Sequence, residues 1–190
     1  MNTDLFFRKI RTYHELSKEA ESAWTGLFRQ KIYRKGENFI NEGQHPRRVA
    51  FVMEGLFSQY YTSEKGESII KYFFPEDRFA ASVTAMLTDT PSMFTITAIE
   101  TTIVLEYDFL GFKKLIGDHP DVAMFYIRYM EQHWIIEKEP LEISFRAETA
   151  KTKYQDFFEK LSYVSNPPKK ASYRLLFRYY PNTAQQNLFC

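Results

Sequence analysis

The sequence predicts an α+β protein: an N-terminal helix, a sandwich or barrel of short strands, a long helix and a short irregular tail. Three observations predict this fold class. Apolar residues recur at helical spacing in residues 3–28. Short runs rich in β-branched and aromatic residues, separated by turn signals, follow between residues 31 and 107. From Pro120 onward, apolar residues again recur three and four positions apart.

The N-terminal segment contains a helix start at Ser17. Its hydroxyl can accept from backbone N–H groups of the first turn, and Glu19 and Glu21 place negative charge there. We expect five residues of this helix to face inward: Ala20, Ala23, Trp24, Leu27 and Phe28.

The strand-like runs are short and have clear turn residues between them, including Gly36, Gly43, Gly55 and Gly66. Ile103, Leu105 and Tyr107 alternate onto one face, as strand residues do. The predicted strands are Lys31–Tyr33, Phe39–Ile40, Val49–Met53, Leu56–Tyr61, Ile69–Phe74, Phe94–Ile99 and Thr102–Tyr107.

Three later segments predict helices. Phe79–Leu87, rich in Ala and Met, predicts a short helix inserted among the strands. Phe109–Ile116 predicts another, ended by Gly117. Pro120 suits the first turn of a long helix, which Pro140 should kink or break.

Composition narrows the classes of function. The chain has 190 residues, 44% of them hydrophobic, and a formal net charge of +1, so it is neither disordered nor globally basic. Cys190 is the single cysteine, which excludes an internal disulfide and a cysteine-held metal cluster. No apolar run reaches the ~20 residues of a membrane span, and no secretion signal is evident. We therefore expect a cytoplasmic protein with no membrane partner.

Local strings in this chain resemble the Crp/Fnr family of transcription regulators, and the resemblance covers about residues 15–160. The order and spacing of these strings support the resemblance, because no single string is decisive. The strings are Arg34–Ile40 followed by Glu42-Gly43, Phe51–Gly55, Phe73–Phe79, and Thr97–Glu100 followed by Val104-Leu105.

The resemblance implies a regulator that is not an enzyme. The expected parts are a jelly-roll (double-stranded β-helix) domain of cyclic-nucleotide-binding type at 1–117, a linker and dimerisation helix at 118–146, and a winged helix-turn-helix remnant at 147–190. The implied partners are a second copy of the chain, DNA for the intact architecture, and an effector of unknown identity.

The phosphate-binding cassette of this family departs from its pattern here. Members that bind cyclic AMP carry a glycine, a glutamate and an arginine where this chain has Ala80, Ala81 and Ser92. Without the arginine we expect no cyclic AMP binding. These small residues either pack the roll shut or, with Ser82, Thr84 and helix amides, hold another anion. The candidate ligand contacts are Phe79, Ala80, Ala81, Ser82, Ser92, Met93, Trp134 and Lys138.

The long helix carries a coiled-coil-like stripe that includes Ile127, Met130, Trp134 and Leu141. The stripe forms a dimer seam or packs on its own domain, and the pattern alone favours neither.

The tail departs from the family after residues 147–160, which resemble the first helix of the DNA-binding module. Permitted codons for Tyr173–Cys190, read from their second base, encode IASYFGITPTLLSRICS, which resembles the family's recognition segment. We infer a frameshift near residues 160–172, with a divergent tail as the alternative.

Two other functions remain open. A dimerisation module without DNA binding fits the shortened tail. A cupin-like metalloenzyme needs clustered histidines, whereas His14, His45, His119 and His133 show no such pairing in the sequence.

Overall fold

The computed structural model describes residues 3–137 and 139. The chain divides into two units, Met1–Arg128 and Tyr129–Cys190. Two helices come first: α1 (Asp4–Arg11) and α2 (Lys18–Thr25). The Ser17 hydroxyl accepts from the Ala20 backbone N–H, so the predicted cap of α2 is confirmed.

In the described part of the chain, eight strands form two four-stranded antiparallel sheets. One sheet has the order β1-β8-β3-β6 and the other β2-β7-β4-β5. The strands are β1 (Arg29–Tyr33), β2 (Asn38–Ile40), β3 (Arg48–Glu54), β4 (Phe57–Thr62), β5 (Ser68–Phe74), β6 (Phe79–Ala80), β7 (Thr95–Ala98) and β8 (Thr102–Asp108). This arrangement confirms the predicted α+β jelly roll, and each predicted strand is present to within two residues at its ends.

The remaining described helices are α3 (Val83–Thr88), α4 (Phe109–Asp118) and α5 (Pro120–Met130). A π-helical turn, Glu131–Ile136, continues directly from α5. The long helix therefore starts at Pro120 as predicted but leaves α-helical geometry at Glu131. Pro140, with its predicted kink, lies outside the described residues.

Two helix predictions were wrong in part. Phe79 and Ala80 form β6, because their backbones pair with Phe51 and Ala50 of β3, and α3 begins only at Val83. Gly117 does not end α4, which continues to Asp118. Ala23 also differs from expectation, because it is exposed on α2 whereas Ala20 and Trp24 are fully buried.

The core lies on both faces of the β1-β8-β3-β6 sheet. Its inner face meets the other sheet, in a cluster that includes Ala50, Val52 and Val104. Its outer face carries an aromatic layer in which Phe6 and Trp24 of the N-terminal helices contact sheet and helix rings. The members of this layer are Phe6, Trp24, Phe28, Phe51, Phe79, Tyr107, Phe112 and Phe125.

Candidate functional site

The interior of the roll is identified by strand register. Residues directly opposite each other in an antiparallel ladder point to the same face. Glu106 of β8 lies opposite Ala50 of β3, and Ala50 lies opposite Ala80 of β6. Ala50 and Ala80 belong to the buried cluster between the sheets, so Glu106 also points inward.

The segment from Ala80 to Phe94 contains a pair of buried serines. Ser82 precedes α3, and its hydroxyl oxygen lies 2.9 Å from that of Ser92. The Ser92 oxygen also lies 2.8 Å from the Phe94 carbonyl oxygen and 3.2 Å from the Phe94 nitrogen. Ser92 is 2% exposed. The two hydroxyls thus have partners within the protein, and neither carries a charge.

Glu106 is the centre of a polar network in the roll. It is 2% exposed, accepts a hydrogen bond from the Tyr33 hydroxyl, and accepts one from Arg48 at 2.8 Å. Lys31 donates to the Tyr33 oxygen at 3.0 Å, with its ammonium 4.2 Å from the Tyr33 ring centroid. Burial first, and then the Glu106 carboxylate, raise the pKa of Tyr33 far above its usual value. The network pairs a buried carboxylate with a guanidinium and a neutral phenol.

The opposite sheet contributes Gln59. This residue lies opposite Ile96 of β7 and Tyr72 of β5, and Ile96 is part of the buried cluster. Gln59 therefore points into the roll, and it is only 5% exposed. Among the described residues, Trp24 Nε1 is the one fully buried side-chain polar atom without a hydrogen-bond partner, so the amide of Gln59 is not a buried unsatisfied group.

The structure brings together part of the predicted ligand set. Ala80, Ala81, Ser82 and Ser92 are all buried along one stretch of the roll. Phe79 is on the other side of β6, where its ring meets Phe51 and Phe6.

The other predicted contacts lie elsewhere. Met93 is 73% exposed, so its side chain lies in solvent. Trp134 is in the second unit and is exposed, and Lys138 is outside the described residues. Of the predicted dimer stripe, Ile127 is 47% exposed, Met130 is half-buried, and Leu141 is outside the described residues.

Four residues that face the interior or belong to the polar network were not predicted from the sequence: Tyr33, Arg48, Gln59 and Glu106. A signal existed for Glu106, because β8 alternates Thr102, Val104 and Glu106 onto one face, and Val104 is an obvious core residue. Gln59 could have been found in the same way from Phe57. The pairing of Arg48 with Glu106 needs the strand order, which the sequence does not provide.

Within the described part of the chain, no three histidine, cysteine or acidic side chains come together in an arrangement suited to a metal ion. No helix in the same region combines the length and hydrophobicity needed to cross a bilayer.

Known proteins resemble this chain over the roll. Residues 30–119 match the family model of the cyclic nucleotide-binding domain. A cAMP-dependent protein kinase regulatory subunit from Debaryomyces hansenii is 26% identical over 117 residues, which are 62% of this chain and 25% of that protein. The chain thus spans about a quarter of the length of this curated relative.

Solved structures share the fold. The catabolite activator protein of Thermus thermophilus superposes with a TM-score of 0.57 at 16% identity, covering 73% of this chain and 63% of that chain. The sensor domain of the transcriptional regulator DNR from Pseudomonas aeruginosa gives a TM-score of 0.60 at 12% identity, covering 72% and 91%. Residues 30–119 therefore match the cyclic nucleotide-binding domain family, and the described chain has the jelly-roll fold of that family.

Proposed function

We propose that this chain is the sensor part of a Crp/Fnr-type transcription regulator that does not bind cyclic AMP. The observation that supports the second half of this proposal is the buried Ser82–Ser92 pair. In the sequence comparison, Ser92 stands where the family's cyclic-AMP-binding members have the phosphate-pairing arginine. Its hydroxyl is already within hydrogen-bonding distance of Ser82 and Phe94.

Charge inside the roll opposes a phosphate as well. Glu106 points inward, and the half-exposed Arg48 guanidinium is paired with it at 2.8 Å. A phosphate placed there would have to compete with a carboxylate that is already hydrogen-bonded. Glu106 is buried whereas Arg48 is half-exposed, so drawing Arg48 away would leave a buried carboxylate with less compensation for its charge. The arrangement therefore disfavours binding of a cyclic nucleotide for two reasons. Ser92 replaces the cation that would pair with the phosphate, and the Glu106 carboxylate places a negative charge inside the roll.

Isothermal titration of the full chain with cyclic AMP and cyclic GMP tests this proposal. We expect no saturable heat with either nucleotide at micromolar concentration. A second titration uses the Ser92→Arg variant. Binding gained by this variant would identify the missing cation as the reason that the unaltered chain does not bind. Saturable micromolar binding by the unaltered chain would overturn the proposal.

The regulator role rests on the resemblance and on the fold shared with transcription regulators. Its intact architecture would be a cytoplasmic dimer, not an enzyme, with residues 1–117 as the roll, 118–146 as the linker helix and 147–190 as the remnant of a DNA reader. The gene sequence tests the frameshift directly. We expect one single-base change near codons 160–172 to restore a helix-turn-helix, and failure to find one contradicts it.

A dimerisation module without DNA binding is a second candidate. Exposed apolar side chains in α5 and the π-helical turn favour it, namely Met124, Ile127, Trp134, Ile135 and Ile136. A DNA shift assay at stated salt, combined with light scattering, distinguishes the two candidates. A dimer that binds no DNA supports the module, and a dimer that shifts DNA supports the regulator.

A further inference from the structure

The loop between α1 and α2 is attached to α5 at three points. The Ser17 backbone N–H donates to the Asp121 carboxylate at 2.7 Å, although the two residues are 104 positions apart in the chain. The Tyr13 ring meets the Phe125 ring in a T-shaped contact, with the centroids 5.8 Å apart. The Arg128 guanidinium donates to the Tyr13 carbonyl oxygen at 2.9 Å. A short surface loop thus runs along α5 and contacts it near both ends.

The spacing of these contacts restricts how α5 can move. At about 100° and 1.5 Å per residue, positions 121, 125 and 128 fall within about 60° of one another and span about 10 Å of helix. Contacts on one side of a helix, made at two heights, resist both tilting and rotation about its axis. The exposed side chains of Met124 and Ile127 lie on the neighbouring side of α5, so the same contacts fix the direction in which they face.

Asp121 lies at the start of two helices. It is the second residue of α5, and its partner Ser17 is the N-cap of α2. Its carboxylate also accepts from the Val122 backbone N–H at 2.9 Å. Burial raises the pKa of Asp121, but the hydrogen bonds from Ser17 and Val122 lower it more, so the net pKa is below its usual value. One ionised carboxylate therefore joins the N-terminal ends of α2 and α5, where backbone N–H groups favour negative charge.

The two outer contacts are separate from the apolar packing that holds α5 on the domain. Val122 and Phe125 are almost fully buried, whereas Asp121 is half-buried and Arg128 is exposed. Loss of the Asp121 and Arg128 contacts would leave the buried side of α5 intact. The loop can therefore be released from α5 without opening the roll.

We propose that residues 13–17 form a strap that fixes the rotation of α5 about its axis, with Asp121 and Arg128 as its positioning residues. Release of the strap changes the direction of Met124 and Ile127, so the loop is a point at which the surface of α5 can be altered from outside. The strap goes beyond the proposed sensor function, because none of its contacts involves the interior of the roll.

Hydrogen exchange of the full chain tests the strap with the double variant Asp121→Ala/Arg128→Met. Both replacements are good helix formers, so the helical propensity of α5 is kept. We expect amides of residues 13–17 and of α5 to exchange at least about tenfold faster, because two hydrogen bonds to charged groups are lost. Exchange in the strands of the roll should stay unchanged.

The matched control is Lys114→Met/Asp118→Ala on α4, which removes one cation and one carboxylate at exposed positions and should exchange like the unaltered chain. Faster exchange in α5 alone would show that Asp121 only caps its own helix, and it would overturn the strap. Unchanged exchange, or faster exchange throughout the roll, would overturn it as well. If the double variant does not fold, Arg128→Met alone decides by the same comparison, because the altered side chain is exposed.

Discussion

The hydroxyl of Tyr33 donates to Glu106 inside the roll, where both side chains are almost fully buried. Tyr33→Phe removes this donor and leaves the carboxylate with Arg48 only. We expect a loss of about 1.5–3 kcal/mol in the free energy of unfolding near neutral pH, the usual range for a hydrogen bond to a charged group. Urea unfolding measures this loss, and Tyr60→Phe on β4 is the control.

Alkaline pH should reduce the difference in the free energy of unfolding between Tyr33→Phe and the unaltered chain. The pKa of Tyr33 is raised in the folded state by burial and by Glu106. Its contribution is therefore complete below the unfolded pKa of about 10 and is lost as the pH rises above that value. Unfolding measured at about pH 7 and about pH 11 should show the gap narrowing. A gap that is constant or widens would contradict the assignment of the raised pKa to this hydrogen bond.

Glu76 is a partly buried side chain whose negative charge lowers the stability of the folded state. Burial raises its pKa, a hydrogen bond from the Gly55 backbone N–H lowers it, and the nearby carboxylates of Glu54, Asp77 and Glu100 raise it. Because the net shift is upward, the ionised form is disfavoured in the folded state, and stability increases as the pH falls through the folded pKa. Glu76→Gln keeps an oxygen for the Gly55 N–H and removes the charge.

We therefore expect Glu76→Gln to melt at a higher temperature than the unaltered chain at neutral pH. The advantage should disappear in acid, where Glu76 itself is protonated. Scanning calorimetry across this pH range measures the effect, and Glu64→Gln in the β4–β5 turn is a control. A variant that melts lower at every pH would show that the carboxylate stabilises the turn.

Among the elements, the β3–β4 turn depends most clearly on one residue. Gly55 has φ +95°, and a Cβ there would lie 2.6 Å from the Thr101 carbonyl oxygen and 2.8 Å from the Thr102 Cα. Gly66, in the β4–β5 turn, has φ +77° but nothing within 4 Å of the equivalent position. Gly66→Ala should cost about 1–2 kcal/mol from backbone strain alone.

Gly55→Ala should cost clearly more, by roughly a further 1–3 kcal/mol, because the backbone of the neighbouring strand must also move. Chemical denaturation of the two variants compares them directly. Equal losses would show that the turn relaxes freely around the added methyl group.

The elements were largely predictable because their signals are local. Turn glycines and alternating apolar residues identified the strands, and the Ser17 cap identified the start of α2. Phe79–Ala80 was assigned to a helix by composition, but tertiary pairing with β3 made it a strand. The π-helical turn at Glu131–Ile136 has no such local signal, so the stripe from Ile127 to Trp134 was placed as if the helix were regular.

At the scale of the whole molecule, the candidate site was only half predictable. The replacement of the family's glycine, glutamate and arginine could be read directly from the sequence. The structure adds that the hydroxyls of Ser82 and Ser92 lie within hydrogen-bonding distance of each other. Alternation along β8 and β4 could have placed Glu106 and Gln59 on the inner face, but only the order of the strands shows that Arg48 lies beside Glu106. The contacts that define the candidate site therefore depend on long-range strand pairing, which a single sequence does not show.

Assembly is the property of the whole molecule on which the two candidate functions agree. Ile127 leaves nearly half of its side chain exposed on α5, beside the exposed Met124. A second copy of this helix would bury both residues, whereas a glutamate in such a seam would be desolvated without a partner. We expect light scattering after size exclusion to give a dimer mass for the unaltered chain and a monomer mass for Ile127→Glu. Lys113→Glu on α4 also introduces a glutamate, at an exposed position outside the stripe, and should remain a dimer. If Ile127→Glu keeps an unchanged circular dichroism spectrum and still elutes as a dimer, the seam lies elsewhere.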